Sequence, residues 1–157
     1  MNKSRNLAAA GGGAAALGFV AGLRSQMPLA ALSLAMVRGG RGGFLGNRFV
    51  ASGLCLAALG EMVGDKLPVT PSRLQPGSLG GRLMFGTLAA ALLSRQMSSP
   101  AVFGATLGAS GALVGSYAGY HSRASLTRVT GAPDAVWAVA EDTVAAGLGI
   151  LAARTLA

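Results

Sequence analysis

The chain has 157 residues, of which 52% are apolar before its 25 glycines are counted and only 11% are charged. A typical soluble domain carries roughly 25% charged residues, so this composition cannot supply a soluble surface. The apolar fraction excludes a disordered tail, the lack of a three-residue glycine period excludes a collagen, and a lone Cys55 excludes a disulfide scaffold. What is left is an all-α class, a polytopic transmembrane helix bundle forming a single integral membrane domain over residues 1–157.

The apolar stretches in chain order are 7–23, 49–64, 79–93, 102–120 and 135–153. Most approach the roughly 20 residues that a bilayer span requires, and the shorter ones can borrow flanking residues at the interface. Five spans are therefore expected. The stretch 28–37 is shorter and is broken by the run Arg38-Gly-Gly-Arg41-Gly-Gly, so it reads as a short crossing, a re-entrant half-helix or an interfacial helix. Counted as a crossing, it makes six. Lys3 and Arg5 precede an Ala/Gly run with Ala-x-Ala sites, as in a secretory signal. That run continues through Gly18 and Gly22 to Arg24 with no polar cleavage region, which favours retention as a span. Lysines and arginines divide almost equally between the two membrane faces under either topology, so the positive-inside rule does not orient the chain.

The 5 acids are more informative. Glu61, Asp65, Asp134, Glu141 and Asp142 all lie within or at the end of an apolar stretch, while the N-terminal tail and the Gly/Arg loop hold only bases. A carboxylate at membrane depth costs about 2.5–3.5 kcal/mol on insertion scales, so it normally faces the bundle interior or a wet cavity with a partner. Because successive spans alternate in direction, Glu61, Asp65, Arg82, Arg123, Asp134, Glu141 and Asp142 fall on one face under either count, and only Arg24 changes sides. At 1.5 Å per residue, Glu61 and Glu141 each sit roughly 8–11 Å below that face. Glu61 and Asp65 share a helix face, where two ionised carboxylates repel unless Arg24, Arg82 or Arg123 neutralises them. The candidate ligand- or ion-binding set is thus Glu61, Asp65, Glu141, Asp142, Arg24, Arg82 and Arg123. Structural ion pairing is the competing reading of the acids, and reaching out to lipid phosphate is that of the arginines. His121, Trp137, Tyr117 and Tyr120 read as interfacial residues.

Gly18 and Gly22, Gly104 and Gly108, and Gly111, Gly115 and Gly119 recur at spacings of four, which places small residues along one helix face. Such faces form close helix contacts or a homodimer seam. A weak internal repeat aligns residues 18–32 with 115–129, and sets Glu61 on Glu141. If genuine, it is an arrangement known from transporters. The glycine runs lack the strand before and the Lys-Ser/Thr after that a phosphate loop needs.

Gly22-Leu-Arg24-Ser25 with Pro28, Glu61 with Asp65-Lys66 and Pro68, Gly81-Arg82, and Glu141-Asp142 resemble the signature of domain-of-unknown-function family 4126, small bacterial multi-pass membrane proteins. The resemblance extends over nearly the whole chain, and its most specific element is ExxxDKxP followed by Pro-x-Arg. It implies an integral protein of the bacterial inner membrane and no particular activity.

Three functional classes follow. The first is a transporter or channel whose carboxylates bind a cation or proton while the arginines balance charge. The second is a non-catalytic scaffold or anionic-lipid-binding protein with structural ion pairs, which the net charge of +8 supports. The third and weakest is a lipid-phosphate enzyme, since no nucleophile-base pair or metal-ligand cluster is visible; no enzymatic activity, metal or cofactor is expected. Nucleic-acid binding is rejected because the bases are dispersed among spans.

Overall fold

The computed structural model describes residues 3–64 and 74–156. Within them the chain forms α1 (Lys3–Leu23), α2 (Met27–Arg38), a 3-10 turn (Phe44–Gly46), α3 (Arg48–Gly64), α4 (Pro76–Gln96), α5 (Ala101–Thr130), α6 (Asp134–Ala153) and a terminal 3-10 turn (Arg154–Leu156). No strand occurs among the described residues. The expected apolar stretches reappear as α1, α3, α4, α5 and α6, and the ambiguous segment becomes α2. The largest boundary difference is α5, which continues ten residues past the expected end at Tyr120 until Gly131, with φ +67°, takes the left-handed C-terminal position and donates its N–H to Thr127 O. Asp65 lies outside the described residues.

The helices run alternately between two ends. At the proximal end, where α1 begins, Asn6, Arg41, Gln96 and Leu156 border one cleft, which brings together the start of α1, the segment after α2 and the ends of α4 and α6. At the distal end, where α1 stops, Ser25 and Gln26 meet Glu61 of α3 and the carbonyls of Gly22 and Leu23 meet Arg82 of α4. The short helix α2 therefore turns back from the distal end. Its 12 residues cover about 18 Å at 1.5 Å per residue, and the following segment completes the return. Gly43, at φ +95°, makes the bend into the 3-10 turn, which is tied to α2 by Ser33 Oγ donating to Leu45 O.

The central helix is α1, which packs on α4, α5 and α6. Its contact with α5 depends on missing side chains. A Cβ on Gly18 would fall on the backbone of Gly108, and one on Gly22 would fall on the backbone of Ala112 and Ser116. The axes can approach closely because nothing stands between them, which is how helices associate where lipid offers no hydrophobic drive. The helix α3 is peripheral, packing mainly on α2 and burying only Ala51 and Ala58.

Side-chain size is distributed as a lipid solvent requires. The buried positions hold many small residues, such as Ala10, Ala14, Ala90, Ala112 and Ala145, whereas Phe49, Val102 and Val129 are 76%, 75% and 83% exposed. In water this outward display of large apolar groups would drive aggregation. Three helices, α1, α5 and α6 with its terminal turn, are long and apolar enough to cross a membrane. The aligned repeat segments differ in conformation: residues 115–129 are continuous helix, whereas residues 18–32 contain the break between α1 and α2.

Candidate functional site

The break at residues 24–26 is where the charged residues converge. Leaving α1 here exposes C-terminal carbonyls, and starting α2 exposes N-terminal N–H groups, each lacking an intrahelical partner. Pro28 fits the first turn of α2, where a missing N–H costs nothing. Arg82, almost completely buried, donates from one Nη to Gly22 O and Leu23 O, both at 2.8 Å. Glu61 accepts from Ser25 N at 2.7 Å through Oε1 and from Gln26 N at 2.8 Å through Oε2. The cation thus sits at the negative end of one helix dipole and the anion at the positive end of the next. Arg82 and Glu61 also approach to 3.9 Å.

Arg24, within the break, is buried at 1% exposure and donates through Nε to Asp142 Oδ1 on α6 at 2.5 Å. This pair fixes the depth of the turn relative to α6. The helix α6 continues about 12 Å distally from Asp142 to its first residue, and α5 continues about 22 Å from Gly115, which packs against Phe19 and Gly22, to Thr130. The turn between α1 and α2 consequently lies well below the distal ends of these helices.

The remaining charges form a separate group. Arg123 of α5 pairs with Asp134 in the first turn of α6, with Nε 3.1 Å from Oδ1 and Nη2 against Oδ2. Its Nη1 is 4.0 Å from Glu141 Oε2. Arg123 and Glu141 line a cavity of about 360 Å³ between α5, α6 and the end of α1. Phe19, Leu23, Leu126 and Val144 supply apolar walls. Trp137 lines it as well, and its indole Nε1 is buried with no hydrogen-bond partner among the described residues. The cavity therefore sets a carboxylate and a guanidinium against an apolar and aromatic surface.

The expected set is thus divided between two places. Arg24, Asp142, Glu61 and Arg82 gather at the helix break, while Arg123 and Glu141 face the cavity. Arg24 and Arg82 do not reach lipid phosphate, because burial and protein acceptors hold both inward. Trp137, read from the sequence as an interfacial residue, also lines the cavity. Its spacing could have shown this: Asp134, Trp137 and Glu141 recur at three and four residues, one face of a helix. His121 is exposed and contacts Tyr117 and Tyr120, with ring centroids 6.4 and 5.2 Å away. The glycine faces of α1 and α5 are occupied by each other and by α4. No group of His, Cys, Asp and Glu side chains that could hold a metal ion occurs among the described residues.

An all-helical, apolar-rich chain with three helices able to span a bilayer and large apolar side chains turned outward has the make-up of a membrane protein. It belongs to the family described as "Domain of unknown function (DUF4126)", whose model matches residues 10–155. Comparison with curated proteins and with solved structures gave no match.

Proposed function

We propose that this is a six-crossing, non-enzymatic protein of the bacterial cytoplasmic membrane that transports a small cation, proton or cationic amphiphile by way of the cavity between α5 and α6. The observation that carries this reading is the placement of Glu141, whose side chain is 9% exposed, beside Arg123 on the wall of an otherwise apolar cavity. A carboxylate so enclosed supplies a negative ligand for a cation, and a neighbouring guanidinium limits the charge imbalance when the site empties. The transport site is then narrower than the seven residues singled out from the sequence, and Glu141 is its ion-binding group.

The alternative is a scaffold with structural ion pairs. Arg82 and Glu61 favour it, because both are engaged by the backbone of the break. The two readings separate in proteoliposomes assayed for proton, sodium, potassium and chloride flux. Transport predicts flux that Glu141→Gln abolishes in a folded protein, whereas Glu61→Gln acts mainly by lowering stability. A folded wild-type protein that conducts none of these ions and takes up no fluorescent cationic amphiphile would favour the scaffold.

A further inference from the structure

The two ends of the bundle treat charge in opposite ways. At the distal end, two of the three described helix N-termini meet acids, since Asp134 opens α6 and Glu61 accepts from the backbone where α2 begins, while the first turn of α4 holds none. This agrees with the helix dipole, which stabilises negative charge at an N-terminus. At the proximal end, α1 begins with Lys3 and Arg5 and α3 begins with Arg48, and neither first turn contains an acid. Arg5 and Arg48 thus stand in the first turn of a helix, at the positive end of its dipole. Arg38, Arg95 and Arg154 lie at or just beyond the ends of α2, α4 and α6, where the dipole favours them, but that explanation does not extend to Arg5 and Arg48.

No described carboxylate balances this end. Glu61, Asp134, Glu141 and Asp142 all belong to the distal half. Arg5, Arg38, Arg48, Arg95 and Arg154 are exposed, and Arg41 donates to Leu156 O beside a cleft of about 340 Å³. The distal arginines contrast with them. Arg24 and Arg82 are buried and Arg123 is paired with Asp134, which leaves Arg128 as the exposed arginine among the described distal residues. Among the described residues, outward-facing basic charge is therefore concentrated at the proximal end.

We propose that the proximal end is a binding surface for the anionic phospholipid headgroups of the cytoplasmic leaflet, which places the start of α1 and the end of α6 on the cytoplasmic side. A phosphodiester supplies the missing anion beside Arg5 and Arg48, and its oxygens match the guanidinium donors. The anionic lipids of the cytoplasmic leaflet attract exposed basic residues beside a membrane span. The inference rests on the six-crossing reading and is independent of the proposed transport cavity.

Thiol labelling and lipid dependence test it together. In a Cys55→Ser background, a membrane-impermeant maleimide added to spheroplasts should label Ala132→Cys but not Ser4→Cys or Thr155→Cys, which should react only after permeabilisation. Labelling of both Ser4→Cys and Thr155→Cys from outside would overturn the orientation. Labelling of just one of them from outside would instead overturn the six-crossing reading. In nanodiscs, phosphatidylglycerol should raise the unfolding temperature above that in phosphatidylcholine. The difference should shrink in an Arg5→Gln/Arg48→Gln variant and persist in Arg128→Gln. Because removing those cations relieves their conflict with the helix dipoles, the double variant should be no less stable than wild type in phosphatidylcholine. Equal wild-type stability in the two lipids would overturn the headgroup proposal.

Discussion

Arg24 and Asp142 stand 118 residues apart in sequence and meet with Nε 2.5 Å from Oδ1, their side chains only 1% and 4% exposed. The pair joins the break after α1 to the middle of α6, so it sets how far the α1–α2 turn penetrates the bundle. Removing one member of a buried pair leaves the other charge without part of its solvation, whereas replacing both removes the desolvation cost as well. Asp142→Leu should destabilise the protein by about 3–5 kcal/mol. Arg24→Met/Asp142→Leu should recover much of that loss, as measured by reversible unfolding in mixed micelles.

Glu61 should behave as a helix cap. Replacing it with alanine removes acceptors from both Ser25 N–H and Gln26 N–H, at about 0.5–2 kcal/mol for loss of a cap. Glu61→Gln retains one carbonyl acceptor and should lose less. Hydrogen exchange at the amides of residues 25 and 26 should quicken more in Glu61→Ala than in Glu61→Gln, with far smaller changes in α5.

The contact between α1 and α5 predicts a contrast between two glycines. Gly18→Ala places a methyl group on the Gly108 backbone and should cost about 1–3 kcal/mol through overpacking. Gly53, on the outer side of α3, has no neighbour within 4 Å of an added Cβ. Gly53→Ala should therefore be neutral or stabilise by about 0.4–1 kcal/mol through reduced freedom of the unfolded chain. Thermal unfolding in one detergent checks both.

Trp137 is the only tryptophan in the chain, so intrinsic fluorescence reports directly on the α5–α6 cavity. A brominated cationic amphiphile should quench it saturably. Ala140→Phe, which puts a ring on the cavity lining, should weaken that saturable quenching while leaving non-specific quenching in place.

Much of the helical framework is readable without tertiary structure because a span must be long, apolar and internally hydrogen-bonded. The stretches 49–64 and 135–153 differ from α3 and α6 by only a residue or so at their starts. The extension of α5 from Tyr120 to Thr130 is less readable, because residues 121–130 are too polar for a hydropathy criterion although they continue the helix. The charged residues could be selected because ionised groups near apolar stretches are costly. Their pairings could not, since Arg24, Arg82 and Arg123 offered equivalent neutralising charges for Glu61.

Composition and periodicity determined an α-helical membrane class, the approximate limits of its long helices and a short list of buried charges. Those properties follow from local costs: an unsatisfied peptide group or a charged side chain is unfavourable in lipid wherever its helix packs. Tertiary structure decided that α2 returns to the proximal end, that Arg82 and Glu61 cap the helices on either side of the α1–α2 break, and that Glu141 shares a cavity with Trp137. These outcomes depend on the separation and rotation of whole helices, which are set by contacts such as Gly18 against Gly108 between distant parts of the chain.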